Sequence, residues 1–341
     1  MTGPRPAIAL VLLSLATGCQ SPPGPIFPPV SPPIVWPPPP DQPRIRYVGE
    51  LRGEANLGVK PSGWDAFRAV LTGPRPLVGF SRPAAVAVAD ERVFVADTGL
   101  GVVHLLDLAD RSYRVMRGAP GDALQVPIDV AAMPDGTVVV ADRGRAAIDF
   151  FNMDGDWQST LRRDEWKAPT SVAWDVRGEQ LWVIDAANHA CFGWQDGQVV
   201  DRLGSRGSAP GQFNFPTAVA WNPLAGLVVA DAMNFRVQVF GDDGEPMVLF
   251  GQKGDAAGDF ALPRDVAVDS EGHIYVLDNQ FENVQIFDRQ GRLLMAFGGG
   301  GQGPGQFALP SGITIDDQDR IWIADSYNRR VQVFQYLPEE G

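Results

Sequence analysis

The sequence predicts an all-β fold, a six-bladed β-propeller, from three observations. The first is a short apolar strand closed by an aspartate, which recurs six times and ends at Asp97, Asp142, Asp185, Asp231, Asp278 and Asp325, at intervals of 45, 43, 46, 47 and 47 residues. The second is a proline that keeps the same beat, about fifteen residues earlier, at Pro83, Pro127, Pro169, Pro216, Pro263 and Pro310. The third is that each unit reads as four short strands with glycine turns between them. A period in the forties with this content is the signature of one four-stranded blade per repeat. Blade five is the clearest: runs over 265–269, 273–278, 283–287 and 292–297, with turns at 270–272 and 289–291 that end in glycine. Val284 and Ile286 alternate with Gln285, the period of a strand with unlike faces. The runs before each aspartate are continuously apolar, as expected where neighbouring blades cover both faces.

The ends of the chain lie outside this pattern. Arg5 precedes an apolar stretch from Ala7 to Ala16, too short to span a bilayer as a mature helix. It runs through Leu15-Ala16-Thr17-Gly18 into Cys19 and resembles a bacterial lipoprotein signal, in which the cysteine is acylated and becomes the mature N-terminus. Ala16 stands where that family prefers leucine. Residues 1–18 are thus expected to be a signal peptide and Cys19 the lipidation site. Gln20 is not the aspartate of an inner-membrane retention signal, so the resemblance implies the outer membrane, on its periplasmic side or at the surface. A plain secretory signal is the alternative. The other cysteine, Cys191, lies in an apolar run and reads as a small buried hydrophobe with no disulfide partner. Residues 22–43 hold twelve prolines, a composition that favours extended polyproline II structure. The linker over 19–43 is therefore expected to be a spacer, reaching on the order of 70 Å if fully extended.

The repeats also predict how the ring closes. After Val331 to Phe334, the third strand of blade six, too little chain remains for a fourth. Residues 44–49 resemble the fourth-strand sequence at 292–298, and residues 44–51 are expected to cross back and pair with the last repeat, removing two sheet edges. An insertion over 52–82 follows, before the six repeats of 83–337. Within it Trp64, Phe67 and Leu71 have helical spacing, with Ser62 to cap and Gly73 to stop, so a short helix over 62–73 is expected. It reads either as packing on a blade or as a lid over the channel.

Three blades open with related strings: Gly211-Gln212-Phe213-Asn214-Phe215-Pro216, Gly258-Asp259-Phe260-Ala261-Leu262-Pro263 and Gly305-Gln306-Phe307-Ala308-Leu309-Pro310. The last blade closes with Ala324-Asp325-Ser326-Tyr327-Asn328-Arg329-Arg330-Val331-Gln332-Val333-Phe334. These resemble NHL repeats from about Phe80 to Leu337, with Asn234 and Arg236, then Asn328 and Arg330, in the family positions; blade five has Phe281 and Asn283 there. The resemblance implies the propeller fold. It does not choose a function, because NHL propellers serve enzymes, scaffolds and nucleic-acid binders.

No histidine metal centre is expected. His104, His189 and His273 stand at plus seven, plus four and minus five from their blade aspartates, so they cannot converge at about 2 Å on one ion. The six repeating aspartates read as structural, accepting backbone N–H groups of the turn that follows. Positions that break the repeat are more informative. Two residues after the opening proline come Asp129 in blade two and Asp265 in blade five, opposite each other in a six-bladed ring. With Arg264, and with Arg143 and Asn279 just after the blade aspartates, they form the candidate top-face binding site. Mutual ion pairing is the competing reading. Two acids are too few for calcium, and neither a Ser-His-Asp set nor a phosphate loop is present. No cofactor is expected. The net charge of −13 disfavours nucleic acid.

These observations lead to a lipid-anchored extracytoplasmic propeller that acts as a binding scaffold in the cell envelope. Its expected partner is an envelope protein, or a peptide or glycan ligand, and it touches the membrane only through its lipid anchor. The alternative is a propeller enzyme of metal-dependent lyase or lactonase type, using acids at the channel mouth.

Overall fold

The architecture follows from six copies of one unit, each too small to bury its own faces. The computed structural model describes residues 24–58, 68, 71–73 and 75–338. The expected signal peptide over 1–18 and Cys19 lie outside the described residues. So does most of the expected helix over 62–73: Trp64 and Phe67 are not described, and Arg68, Leu71 and Thr72 are helical with Leu71 exposed. In the first four blades the first strands are Pro83–Ala89, Pro127–Ala132, Pro169–Asp175 and Ala218–Asn222. In the last two they are Pro263–Val268 and Gly312–Ile315. Three antiparallel strands follow in sequence in blades one to five. First strands line the axis and fourth strands lie outermost.

Six clusters make up the buried core, and each sits between two adjacent blades. Phe94, Val103, Val138 and Phe151 fill the space between blades one and two, for example, and Trp182, Cys191, Val229 and Phe240 that between three and four. Every blade thus covers its neighbour, which explains the continuously apolar second strands. Cys191 is fully buried, and burial alone pushes its thiol well above the usual range.

The repeated aspartates fasten this arrangement. All six are buried. Asp97 accepts N–H groups from Ser81 and Arg82 in the loop entering its blade, and from Gly99 and Leu100 in the turn leaving its strand. Asp185 and Asp278 do the same with backbone donors only from those two places, apart from Asn188 Nδ2 on Asp185. The expected turn role is therefore only half of it, since each carboxylate also ties down the loop from the preceding blade. In blades four and six side chains share the work. Asn328 Nδ2, Arg330 Nε and Gln332 Nε2 converge on Asp325, and Arg330 also donates to the carbonyls of Gly303 and Gln306. The strings that open blades four to six have a steric logic. Phe213, Phe260 and Phe307 are fully buried against Gly204, Gly251 and Gly298, whose φ values are 88–89°. A Cβ at any of the three would come within 2.4 Å of a ring atom, so the positions accept only glycine.

Ile45–Leu51 pairs antiparallel with Arg330–Tyr336 and closes blade six, as the sequence predicts. Arg330 Nη1 reaches Glu50 of this strand at 2.7 Å. The proline-rich segment differs from the expected free spacer. Val35–Trp36 adds a fifth strand to the same sheet, and Ile26, Phe27, Val30 and Ile34 pack on the flanking cores. Trp36 lies 5.9 Å from the Phe297 ring and 5.8 Å from that of Phe334. Polyproline conformation leaves side chains free to dock, and these apolar residues among the prolines have a blade edge to cover. Deleting residues 44–51 is expected to give oligomers or loss of the cooperative melt, measured by size exclusion and thermal denaturation. Trp36→Ala should lower stability by roughly 2–3 kcal/mol in denaturant titration.

Candidate functional site

The axial channel is walled by the first strands of all six blades. In blades one, two, three and five the ladder between first and second strand slips next to the opening proline, leaving Ala84, Ile128, Thr170 and Arg264 as the extra residues. Such bulges re-aim neighbouring side chains. Here they bring Asp129, Ser171, Arg264 and Asp265 to one polar neck, completed by Thr217 and Ser311, with a volume of only 10 Å³. That is room on the order of a single water. On the far side of the neck the channel widens to 370 Å³ between the first strands of all six blades, past Trp174 and Trp221 to Asp316 and Asp317.

Asp129 and Asp265 both line this neck, inside it and not on an open rim. Their roles are symmetrical. Asp129 accepts its own strand's Val130 N–H and, across the blade boundary, the Val172 N–H of blade three, both at 2.8 Å. Asp265 accepts Val266 N–H and, from blade six, Ile313 N–H, again at 2.8 Å. Ser171, at the equivalent position of blade three, accepts Val219 N–H of blade four at 3.1 Å. These first strands are sheet edges facing the axis, and their unpaired N–H groups need acceptors. The acids supply them, so ion pairing between loops is not their main function. Sequence reasoning passed over Ser171, although its register with Asp129 and Asp265 marks the same device.

Both acids keep a little surface toward the channel yet are surrounded by protein, so their charges are poorly hydrated. Burial pushes Asp129 up to about 6, against the opposing pull of Val172, Ser171, Val130 and Arg264. Burial and then repulsion from Asp129 push Asp265 up to about 8, with Ile313, Val266 and Arg264 offsetting only part. The two titrate as a coupled pair, both held above the usual carboxylate range. Arg264 makes no hydrogen bond or ion pair to a described residue. Its burial lowers its pKa, Asp265 and Asp129 oppose that, and Arg143 reinforces it. Arg143 itself is exposed at the mouth, also without a partner among the described residues. Asn279 is committed elsewhere, its Nδ2 donating to Pro310 O at 2.7 Å across to blade six.

The histidines stand in three separate places. His104 bridges Tyr113 and Asp97, His189 Nδ1 accepts Phe215 N–H, and His273 bonds Asp269. Among the described residues no group of three or more His, Cys, Asp or Glu side chains is placed to hold a metal ion.

A family model described as a 6-bladed beta-propeller matches residues 269–337, from the end of the first strand of blade five through blade six. No match was found among curated proteins. Solved structures with the same architecture include a gluconolactonase from Xanthomonas campestris, at 18% identity and a TM-score of 0.59, covering 76% of this chain and 87% of that one. Virginiamycin B lyase from Staphylococcus aureus is similar at 11% identity and a TM-score of 0.55, over 75% of this chain and 96% of the other. An auxiliary nutrient binding protein from Bacteroides ovatus is similar at 12% identity and 0.57, over 76% and 70%. At these identities the likeness is one of fold, and the neighbours divide between enzymes and binding proteins.

The titration of the neck can be tested directly. Both folded values lie above the ordinary carboxyl value of about 4, so the folded protein holds protons that the unfolded chain releases. The stability they contribute is full below that value and is lost as pH rises through about 6 and about 8. The melting temperature should therefore fall across this window, and fall less in Asp265→Asn. Equal pH slopes for parent and variant remove the pair from the explanation.

Proposed function

We propose that this chain is a lipid-anchored, extracytoplasmic propeller of NHL type that captures a protein or peptide segment on its top face. The observation that carries the reading is a pair of uncommitted cations at one mouth, Arg143 exposed and Arg264 in the neck, together with exposed apolar side chains on the corresponding loops of blades one, four and six. Leu100, Phe215, Met233, Leu309 and Tyr327 are 37–68% exposed there. Phe215 and Leu309 have φ values of 49° and 45°, left-handed backbone for bulky residues that precede proline. Such strain is retained where surrounding structure enforces it, often where side chains are held out for a partner. Apolar side chains beside arginine suit an acidic peptide better than a glycan. The lyase and lactonase readings have less support, because Asp129 and Asp265 each commit both oxygens to backbone donors. Placement outside the cytoplasm rests on the lipoprotein-like sequence ending in Cys19.

A photo-crosslinker at position 143 should trap an envelope protein through an acidic segment, and Arg143→Glu should lose that capture at an unchanged melting temperature. Capture unaffected by the reversal of charge discards the top-face reading. Cys19→Ser should move the protein from the membrane fraction to the soluble extracytoplasmic fraction, and an unchanged distribution discards the anchor.

A further inference from the structure

Two blades close a polar trio that a third blade leaves open. At the end of the first strand of blade six, Asp316 Oδ2 accepts from Arg320 Nε at 2.6 Å and from Trp322 Nε1 at 2.8 Å. In blade five Asp269 Oδ2 is bonded to His273 Nδ1 at 2.9 Å and Tyr275 Oη at 3.1 Å. Blade three has the corresponding residues, Asp175 at the end of its first strand and Gln180 and Trp182 in its second. None of the equivalent bonds forms. Asp175 uses Oδ1 for the Arg177 and Gly178 N–H groups, both at 2.8 Å, while Oδ2 has no partner among the described residues. Gln180 is 8% exposed and its amide makes no hydrogen bond to a described residue; Trp182 is 6% exposed and its indole N–H has no acceptor among the described residues.

All three residues line a cavity of 580 Å³ between blades three and four. The chain keeps space around the Gln180 amide. Gly193 stands in mid-strand where the other blades have Leu105, Phe150, Val239, Ile286 and Val333, and a Cβ there would lie 2.7 Å from Gln180 Oε1. A glycine inside a strand often marks such a close approach. The walls are acidic, with Asp175, Asp201, Asp242, Asp243 and Glu245. Of the two lining arginines, Arg177 is taken up by Asp242, by Pro223 O and by the Trp221 ring, and Arg202 lies over Phe192. An unmatched buried donor or acceptor is costly, so the two free acceptors facing the cavity, Asp175 Oδ2 and Gln180 Oε1, favour a donor group from outside.

We propose that this cavity binds a guanidinium or primary ammonium group, carried by a small amine or by the basic side chain of a peptide, which takes in blade three the place that Arg320 holds in blade six. The group donates to Asp175 Oδ2 and Gln180 Oε1, with the carboxylates that Arg177 leaves free, Asp201, Asp243 and Glu245, supplying attraction. This site is distant in role from the top face and does not rest on the function proposed above.

The test is calorimetric titration of the full chain with agmatine and with a short peptide containing one arginine, using glucose as a neutral control. Saturable heat is expected from at least one cationic probe and none from glucose. Tighter agmatine binding identifies a free amine as the ligand source, and tighter peptide binding identifies a basic side chain. Asp175→Asn should weaken binding by about tenfold, the range for losing one charged hydrogen-bond partner. Gln180→Arg should fill the site from within, raise the melting temperature and abolish binding. No heat from either cation at the highest attainable concentration overturns the proposal, as does equal affinity in the parent and Asp175→Asn.

Discussion

The structure depends on a buried carboxylate that reaches backward. In each blade the aspartate ending the second strand accepts N–H groups from the loop that arrives from the previous blade as well as, in most blades, from its own turn. A carboxylate in that position is tolerated only because several donors surround it, and hydrogen bonds to a charged group contribute about 1.5–3 kcal/mol each where an unmet charge would cost far more. Blade-to-blade geometry is thereby fixed at the top of every repeat. Apolar contacts between blades do the rest, since a propeller has no centre of its own to bury.

Departures from the six-fold pattern fall at the axis and at the far end of blade three. At the axis, Asp129, Ser171 and Asp265 replace small residues and stitch the first strands of neighbouring blades together. Blade six offers no such acceptor to blade one. There Gly312 lets the backbones meet directly, with Ser311 bonding the Pro83 and Ala84 carbonyls. Arg264 shares the neck with two carboxyls yet pairs with neither, because both are already spent on backbone. The same logic of one network met in several versions separates blade three from five and six, where an aspartate is satisfied by arginine or histidine in two copies and by neither in the third.

Much of this was legible before any coordinates. The repeating aspartate and proline gave blade number and register, the 44–51 segment gave closure, and the opposition of blades two and five put Asp129 and Asp265 on one axis. The remainder was not legible for definable reasons. Periodicity cannot tell whether an acid points to solvent, to a cation or to a neighbouring strand's N–H, so the acids of the neck were read as a rim. Asn279 looked like part of that rim and instead anchors a carbonyl. Proline content argued for a stand-off spacer, while Ile26, Phe27 and Trp36 found a blade edge to cover.

The amino-acid sequence by itself determined the number of blades, their order and the identity of the strand that seals the ring, because these follow from local period and complementarity. Only the tertiary structure decided which polar groups are spent and which remain free. That depends on partners hundreds of residues away, as Ser311 and Pro83 or Arg330 and Glu50 show. Satisfaction of a buried hydrogen-bonding group is a property of the packed ring, and no single repeat contains it.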